Sequence, residues 1–144
     1  GLEEEDQEIF LDIACFLRGR KKSEIKQILE SCAFEASAGL NVLIEQSLVF
    51  ISEYDHTIQM HNLIQEMGKY IVTKQKDRGE LSRLWLAQDF EKTCSNAKIH
   101  GNKAIQAIWL QEIQDLSFRE KAMENMEKLR ILYINCFLTH DDSN

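Results

Sequence analysis

The amino-acid sequence predicts a mainly α-helical chain with small β content, and three observations carry that expectation. From Ile9 to Leu17 the only charged residue is Asp12, so the first helix is expected to be buried on most sides. Ile25, Ile28, Leu29 and Cys32 then fall at i, i+3, i+4 and i+7, one apolar stripe at helical spacing. After Gln46 the periodicity changes. Ser47–Ile51 and Thr57–Met60 are β-branched or apolar enough for a pair of strands, with Glu53–His56 as the turn between them.

The first helix is expected over about 4–17. Its start, Glu3-Glu4-Glu5-Asp6, complements the positive end of the helix dipole, and Gly19 stops it. Arg18, Arg20, Lys21 and Lys22 follow at the carbonyl end and read as a solvated turn in preference to a binding patch. The second helix begins near Ser23 as N-cap. A third, over about 36–46, presents Ala36, Leu40, Leu43 and Ile44. Beyond the hairpin, a fourth helix over about 61–74 has Met60, Leu63, Ile64, Met67 and Ile71 as its expected inward stripe. Gly39 and Gly68 lie on helices at a cost of up to about 1 kcal/mol each, and close helix contact is the expected reason. Three helices, a hairpin and a further helix make a winged-helix order.

Residues 75–80 are polar and read as a loop. Ser82-Arg83-Leu84-Trp85-Leu86 follows, with Arg83 and Trp85 read as core contacts plus a salt bridge, and then a short helix near Gln88–Cys94. Ala104–Leu110 alternates weakly and is expected as a strand, with a helical stretch near Phe118–Met126 after it. Met126, Leu129, Leu132 and Ile134 match the spacing of one leucine-rich repeat, a unit that buries its apolar face only by stacking on neighbours. An unrelated β-α-β addition is the alternative for that unit read alone. The expected organisation is a winged helix over 1–80, a connector over 81–103, the start of leucine-rich repeats over 104–138 and a frayed tail over 139–144.

Composition sets limits on function. The chain has 144 residues, 44% hydrophobic and 28% charged, with no proline and a net charge of −7. That is an ordinary globular balance. No apolar run reaches the 18 residues a membrane helix needs, and Gly1–Asp6 is too acidic for a signal peptide. The chain starts at Gly1, which suggests an excerpt from a longer protein. Cys15, Cys32, Cys94 and Cys136 lie 17, 62 and 42 residues apart without a C-x-x-C pair, so neither a disulfide framework nor a metal site with His56, His61, His100 or His140 is expected. A winged helix raises the question of DNA. Affinity for nucleic acid rests on Lys and Arg neutralising phosphates, whereas Glu35–Gln46, in the recognition-helix position, has two glutamates and no basic residue. No G-x-x-x-x-G-K-[ST] phosphate loop and no G-x-S-x-G elbow occurs, so the chain is not expected to be an enzyme.

The order of motifs carries a family resemblance. Phe10–Gly19 (FLDIACFLRG), the glycine-and-leucine helix leading into Gln46-Ser47-Leu48, Met60-His61-Asn62, Ser82–Trp85 (SRLW) and Met126–Ile134 (MEKLRILYI) resemble the corresponding segments of plant intracellular immune receptors. The subclass is the one with an N-terminal Toll/interleukin-1-receptor domain, a nucleotide-binding domain and leucine-rich repeats. In that family the "MHD" triplet lies against bound ADP and its histidine reaches the diphosphate; here the triplet ends in Asn62.

The resemblance implies a regulatory segment without catalytic residues, cofactor or metal of its own. Any NADase or nucleotide-hydrolysing activity would belong to domains this sequence lacks. ADP or ATP is the implied cofactor of the intact receptor, with His61 as the nucleotide contact and Met60 and Asn62 as switch and helix-cap residues. Asn62 retains capping ability, and Gln65 three residues on fits a capping box, but the aspartate's charge is lost. The implied partners are the receptor's own nucleotide-binding and repeat domains, a second copy on activation, and a pathogen effector indirectly, with no nucleic acid and no membrane. The expected compartment is cytoplasmic or nucleocytoplasmic. An inert truncated paralogue or decoy, and a DNA-binding winged helix, are the alternative readings.

Overall fold

A computed structural model describes residues 2–95, 103–113 and 123–136. The chain divides into two compact units, Gly1–Thr73 and Lys74–Asn144.

In the first unit α1 (Glu4–Asp12) continues into a π-helical turn (Ile13–Leu17) before α2 (Lys22–Ser31) and α3 (Ala36–Glu45). The expected single helix is thus wound wider over its last five residues, and the Arg18 amide donates to the Ile13 carbonyl at 2.9 Å, five residues back. Ile9, Phe10, Leu11, Ile13, Ala14 and Leu17 are buried, as the apolar run requires. Ile25 and Leu29 of α2 and Ala36, Leu40 and Leu43 of α3 complete that core. Full burial of each large aliphatic side chain contributes roughly 1.5–3 kcal/mol. The cap of α2 is Lys21, in extended conformation, and Ser23 lies one residue inside the helix with its side chain exposed.

The wing is built from β1 (Phe50–Ile51) and β2 (Ile58–Gln59), paired antiparallel. The basic segment after α1 joins it. Gly19, at φ +92°, turns the chain so that its amide donates to the Ile58 carbonyl at 2.8 Å, and the Ile58 amide donates to the Arg20 carbonyl at 2.9 Å. Residues 19–22 therefore run along the wing as an added strand segment, bridged from Lys21 to Thr57, and are more than a solvated turn. At the hairpin tip the Asp55 carboxylate accepts from the Thr57 amide and hydroxyl, which holds its pKa below the ordinary value.

α4 (Asn62–Gln75) follows, closed by a short 3-10 turn (Lys76–Arg78) where a loop is expected over 75–80. Its expected inward stripe is corrected. Gly68 and Val72 are buried and Ile64 and Gln65 half-buried, whereas Leu63, Met67 and Ile71 are exposed at 83%, 46% and 41%. Of the five expected residues only Met60, just before the helix, is fully buried. The helix is rotated because its glycine, not its larger apolar residues, faces α1 and the π turn that continues it. A methyl group placed on Gly68 would lie 2.6 Å from the Ala14 Cβ.

The second unit holds β3 (Arg83–Leu84), α5 (Ala87–Ser95), β4 (Ala107–Ile113) and β5 (Ile131–Cys136). The strands form one parallel sheet in the order β3-β4-β5. Arg83 pairs with Ala107 and Ala107 with Ile131, a step of 24 residues each time. That constant step is a repeat period within the range of leucine-rich repeats. Residues expected as connector thus supply the first rung of the sheet, and three rungs stand where one unit is expected. Leu84, Phe90, Cys94, Ile105, Ile108, Leu110 and Met126 make its core, with Leu81, Leu129 and Ile134 packed partly buried against it. The helical stretch expected over 118–126 is described only from Met123 onward, and the 139–144 tail lies outside the described residues.

Candidate functional site

The wing delivers the chain to α4 through the triplet Met60-His61-Asn62. Met60 follows β2 and is 1% exposed, a core residue that anchors the segment. His61 comes next and faces outward; among the described residues its imidazole has no hydrogen-bond or salt-bridge partner. Its carbonyl accepts the Gln65 amide at 3.0 Å, the first bond of α4, so His61 occupies the cap position. An exposed imidazole there stands beside backbone N–H groups that have no intrahelical acceptor, a setting that favours an anion.

Asn62 lies one position further in than a capping role requires. Its Oδ1 accepts from Arg18 Nη1 at 2.9 Å. The capping box is replaced by a different arrangement. The Gln65 Oε1 accepts from the same Arg18 nitrogen, and the Gln65 Nε2 donates to the Ala14 carbonyl at 3.0 Å. Arg18 Nε also reaches Gln59 Oε1 at 3.4 Å. One guanidinium thereby joins the end of the π turn, the wing strand and the first turn of α4.

The π turn explains why Gln65 is drawn in. In a regular α-helix the Arg18 amide would donate to Ala14; here it donates to Ile13. The Ala14 carbonyl accepts the Gln65 amide group instead. A buried carbonyl left without such a partner would cost about 1–3 kcal/mol. Sequence reasoning places His61, Asn62 and Met60 together and sets Gln65 beside Asn62 as a capping box, but it misses Arg18 and the Ala14 carbonyl as the partners of Gln65. The available signal was the arginine immediately before the helix-stopping Gly19.

Arg83 is also brought into the interior, 1% exposed, and its Nη1 donates to Ser82 Oγ at 2.9 Å. The Ser82 hydroxyl and amide both donate to Gln75 Oε1, at 2.7 and 2.9 Å. Trp85 is half-buried beside it. Among the described residues no cluster of His, Cys, Asp and Glu could hold a metal ion, and no helix is long and apolar enough to cross a membrane.

Comparison with known proteins places the chain in a family. The family model for the winged-helix domain of Roq1-like disease resistance proteins matches residues 3–76. TMV resistance protein N of Nicotiana glutinosa is 54% identical over 141 residues, covering 97% of this chain and 12% of that protein. Disease resistance protein RPP2A of Arabidopsis thaliana is 37% identical over 94% of this chain and 10% of its own length. Disease resistance protein RUN1 of Vitis rotundifolia is 33% identical over 98% of this chain and 11% of its own length. The chain spans at most 12% of the length of these relatives. With a matching winged helix and relatives aligned through the repeat rungs, the chain belongs to the plant disease-resistance receptors that combine a Toll/interleukin-1-receptor domain, a nucleotide-binding domain and leucine-rich repeats.

Proposed function

We propose that this chain is the regulatory switch segment of such a receptor. In the resting state it packs on the ADP-loaded nucleotide-binding domain and holds the receptor inactive, and exchange for ATP releases it for defence signalling. The single observation that supports this reading most is the placement of His61. Its ring is exposed at the cap of α4, while its neighbour Met60 is locked in the core and Asn62 is tied to Arg18. A histidine so presented fits the diphosphate of a nucleotide held by another domain. ADP supplies the anionic group and this chain supplies one donor, so the nucleotide acts as a link between domains. The remaining partners follow from the same reading: the receptor's own nucleotide-binding and repeat domains, and a second copy once the winged helix has moved.

The test uses the full-length receptor with His61→Ala. One hydrogen bond to a charged group contributes about 1.5–3 kcal/mol, so ADP release is expected to accelerate about tenfold or more, with raised basal signalling. This 144-residue chain alone, having no phosphate loop, is expected to bind ADP no tighter than micromolar in calorimetric titration. Unchanged release and signalling in the variant, or tight binding by the chain alone, overturns the proposal.

A further inference from the structure

We infer that Arg18 is the residue that reads position 62 and so fixes the first turn of α4, carrying His61, against the end of the π turn. The inference rests on the switch reading of the triplet and adds a positioning residue outside it. Four contacts converge. Arg18 Nη1 donates to Asn62 Oδ1 at 2.9 Å and to Gln65 Oε1, Arg18 Nε reaches Gln59 Oε1 at 3.4 Å, and Gln65 Nε2 donates to the Ala14 carbonyl at 3.0 Å.

All three acceptors offered to Arg18 are neutral amide oxygens. An always-charged guanidinium with several donors is here held by side chains that carry no charge. Gln59, Asn62 and Gln65 come from the wing strand and the start of α4, while Arg18 leaves the end of the π turn. The group therefore spans the two segments whose relative position sets where His61 points. It is also adjustable at one place. An aspartate at 62 would keep the acceptor oxygen and add a full negative charge beside Arg18, turning a hydrogen bond into an ion pair. Asn62 leaves this clamp in its weaker form. Of the charged residues close by in sequence, Arg20 pairs with Glu24 at 3.4 Å, and Glu66, next to Gln65, is exposed.

The experiment is a double-mutant cycle with Asn62→Asp, Arg18→Gln and the combination. It is read in two ways: thermal unfolding of the 144-residue chain, and ADP release from the full-length receptor. Asn62→Asp also gains from the helix dipole, a contribution that does not need Arg18. The cycle removes it. For an ion pair between the half-buried Arg18 and the exposed position 62 we expect Asn62→Asp to slow ADP release about two- to fivefold with Arg18 present, and to lose most of that effect with Arg18→Gln. The His61 ring resonances are expected to shift with Arg18→Gln and to move back with Arg18→Lys, which retains charge.

If Asn62→Asp acts equally with and without Arg18, in both readouts, Arg18 does not read position 62 and the inference falls while the triplet's role stands. If the two sites couple in the unfolding of the chain yet none of the versions alters ADP release, the switch reading falls and the clamp is a fold contact only.

Discussion

Gly68 sits where α4 passes α1, and a methyl group added there meets the Ala14 Cβ at 2.6 Å and the Phe10 ring at 3.4 Å. Ala14 cannot swing away, because its Cβ is fixed to helix backbone. Gly68→Ala is therefore expected to destabilise the chain by about 1–3 kcal/mol, despite a gain in helix propensity of about 1 kcal/mol. Gly39 is also crowded, but its nearest neighbour is the terminal Cδ1 of Ile9, which can change rotamer. Gly39→Ala should cost less. Thermal or urea unfolding of the two variants checks the order, and equal losses would mean that the approach at Gly68 relaxes through the backbone. The glycines were legible in the sequence as helix-contact residues because nothing else justifies their cost. Gln65 was not. Its spacing from Asn62 imitates a capping box, while its actual partner, the Ala14 carbonyl, is released only by the π turn 51 residues earlier.

Two helices end on residues other than glycine in a left-handed conformation. At the end of α2, Ala33 has φ +65°, the Phe34 amide donates to the Leu29 carbonyl at 3.1 Å and the Ala33 amide to Glu30 at 3.0 Å. At the end of α3, Ser47 has φ +61°, with Leu48 donating to Leu43 and Ser47 to Ile44 in the same pattern. Both are the paired bonds of a Schellman cap, in which glycine is preferred because an added Cβ costs about 1–2 kcal/mol. Glycine also loses more chain entropy on folding, so the net gain is smaller. Ala33→Gly is expected to stabilise by about 0.5–1 kcal/mol, measured as a shift of the urea midpoint at constant slope. A loss of stability would mean that the Ala33 side chain makes contacts that outweigh the strain. The fold class and the order of helices and hairpin were readable from periodicity, which depends on neighbours a few residues away. The rotation of α4 was not, because Leu63, Met67, Tyr70 and Ile71 are apolar yet exposed in this chain. Burial is decided by what lies opposite, and a sequence pattern records only what the helix offers.

At the scale of the whole molecule the decisive feature is the 24-residue step. Leu81–Leu86, Ile105–Leu110 and Leu129–Ile134 each read as apolar-x-x-apolar-x-apolar, and each carries an aromatic residue at its fifth position: Trp85, Trp109 and Tyr133. Trp109 and Tyr133 stack at 4.3 Å between ring centroids. This periodicity was present in the sequence but hidden, since β3 is only two residues long and SRLW stood out as a motif of its own. The practical consequence concerns where the chain can be cut. Leu84, Phe90 and Cys94 share a core with Ile105, Ile108 and Leu110, so ending the chain after Ser95 leaves the first rung without its neighbour. Exposing Leu84 and Phe90 would forfeit roughly 1.5–3 kcal/mol each and create an apolar patch prone to self-association. Ending after Arg78 instead removes all three rungs and keeps α4 whole. The shorter chain is expected to be monomeric in size-exclusion chromatography and to unfold cooperatively, while the chain ending at Ser95 binds a hydrophobic dye and elutes in part as larger species. If the longer truncation proves equally monomeric and dye-free, β3 and α5 do not depend on the second rung, and the repeat array begins at β4 rather than at Arg83.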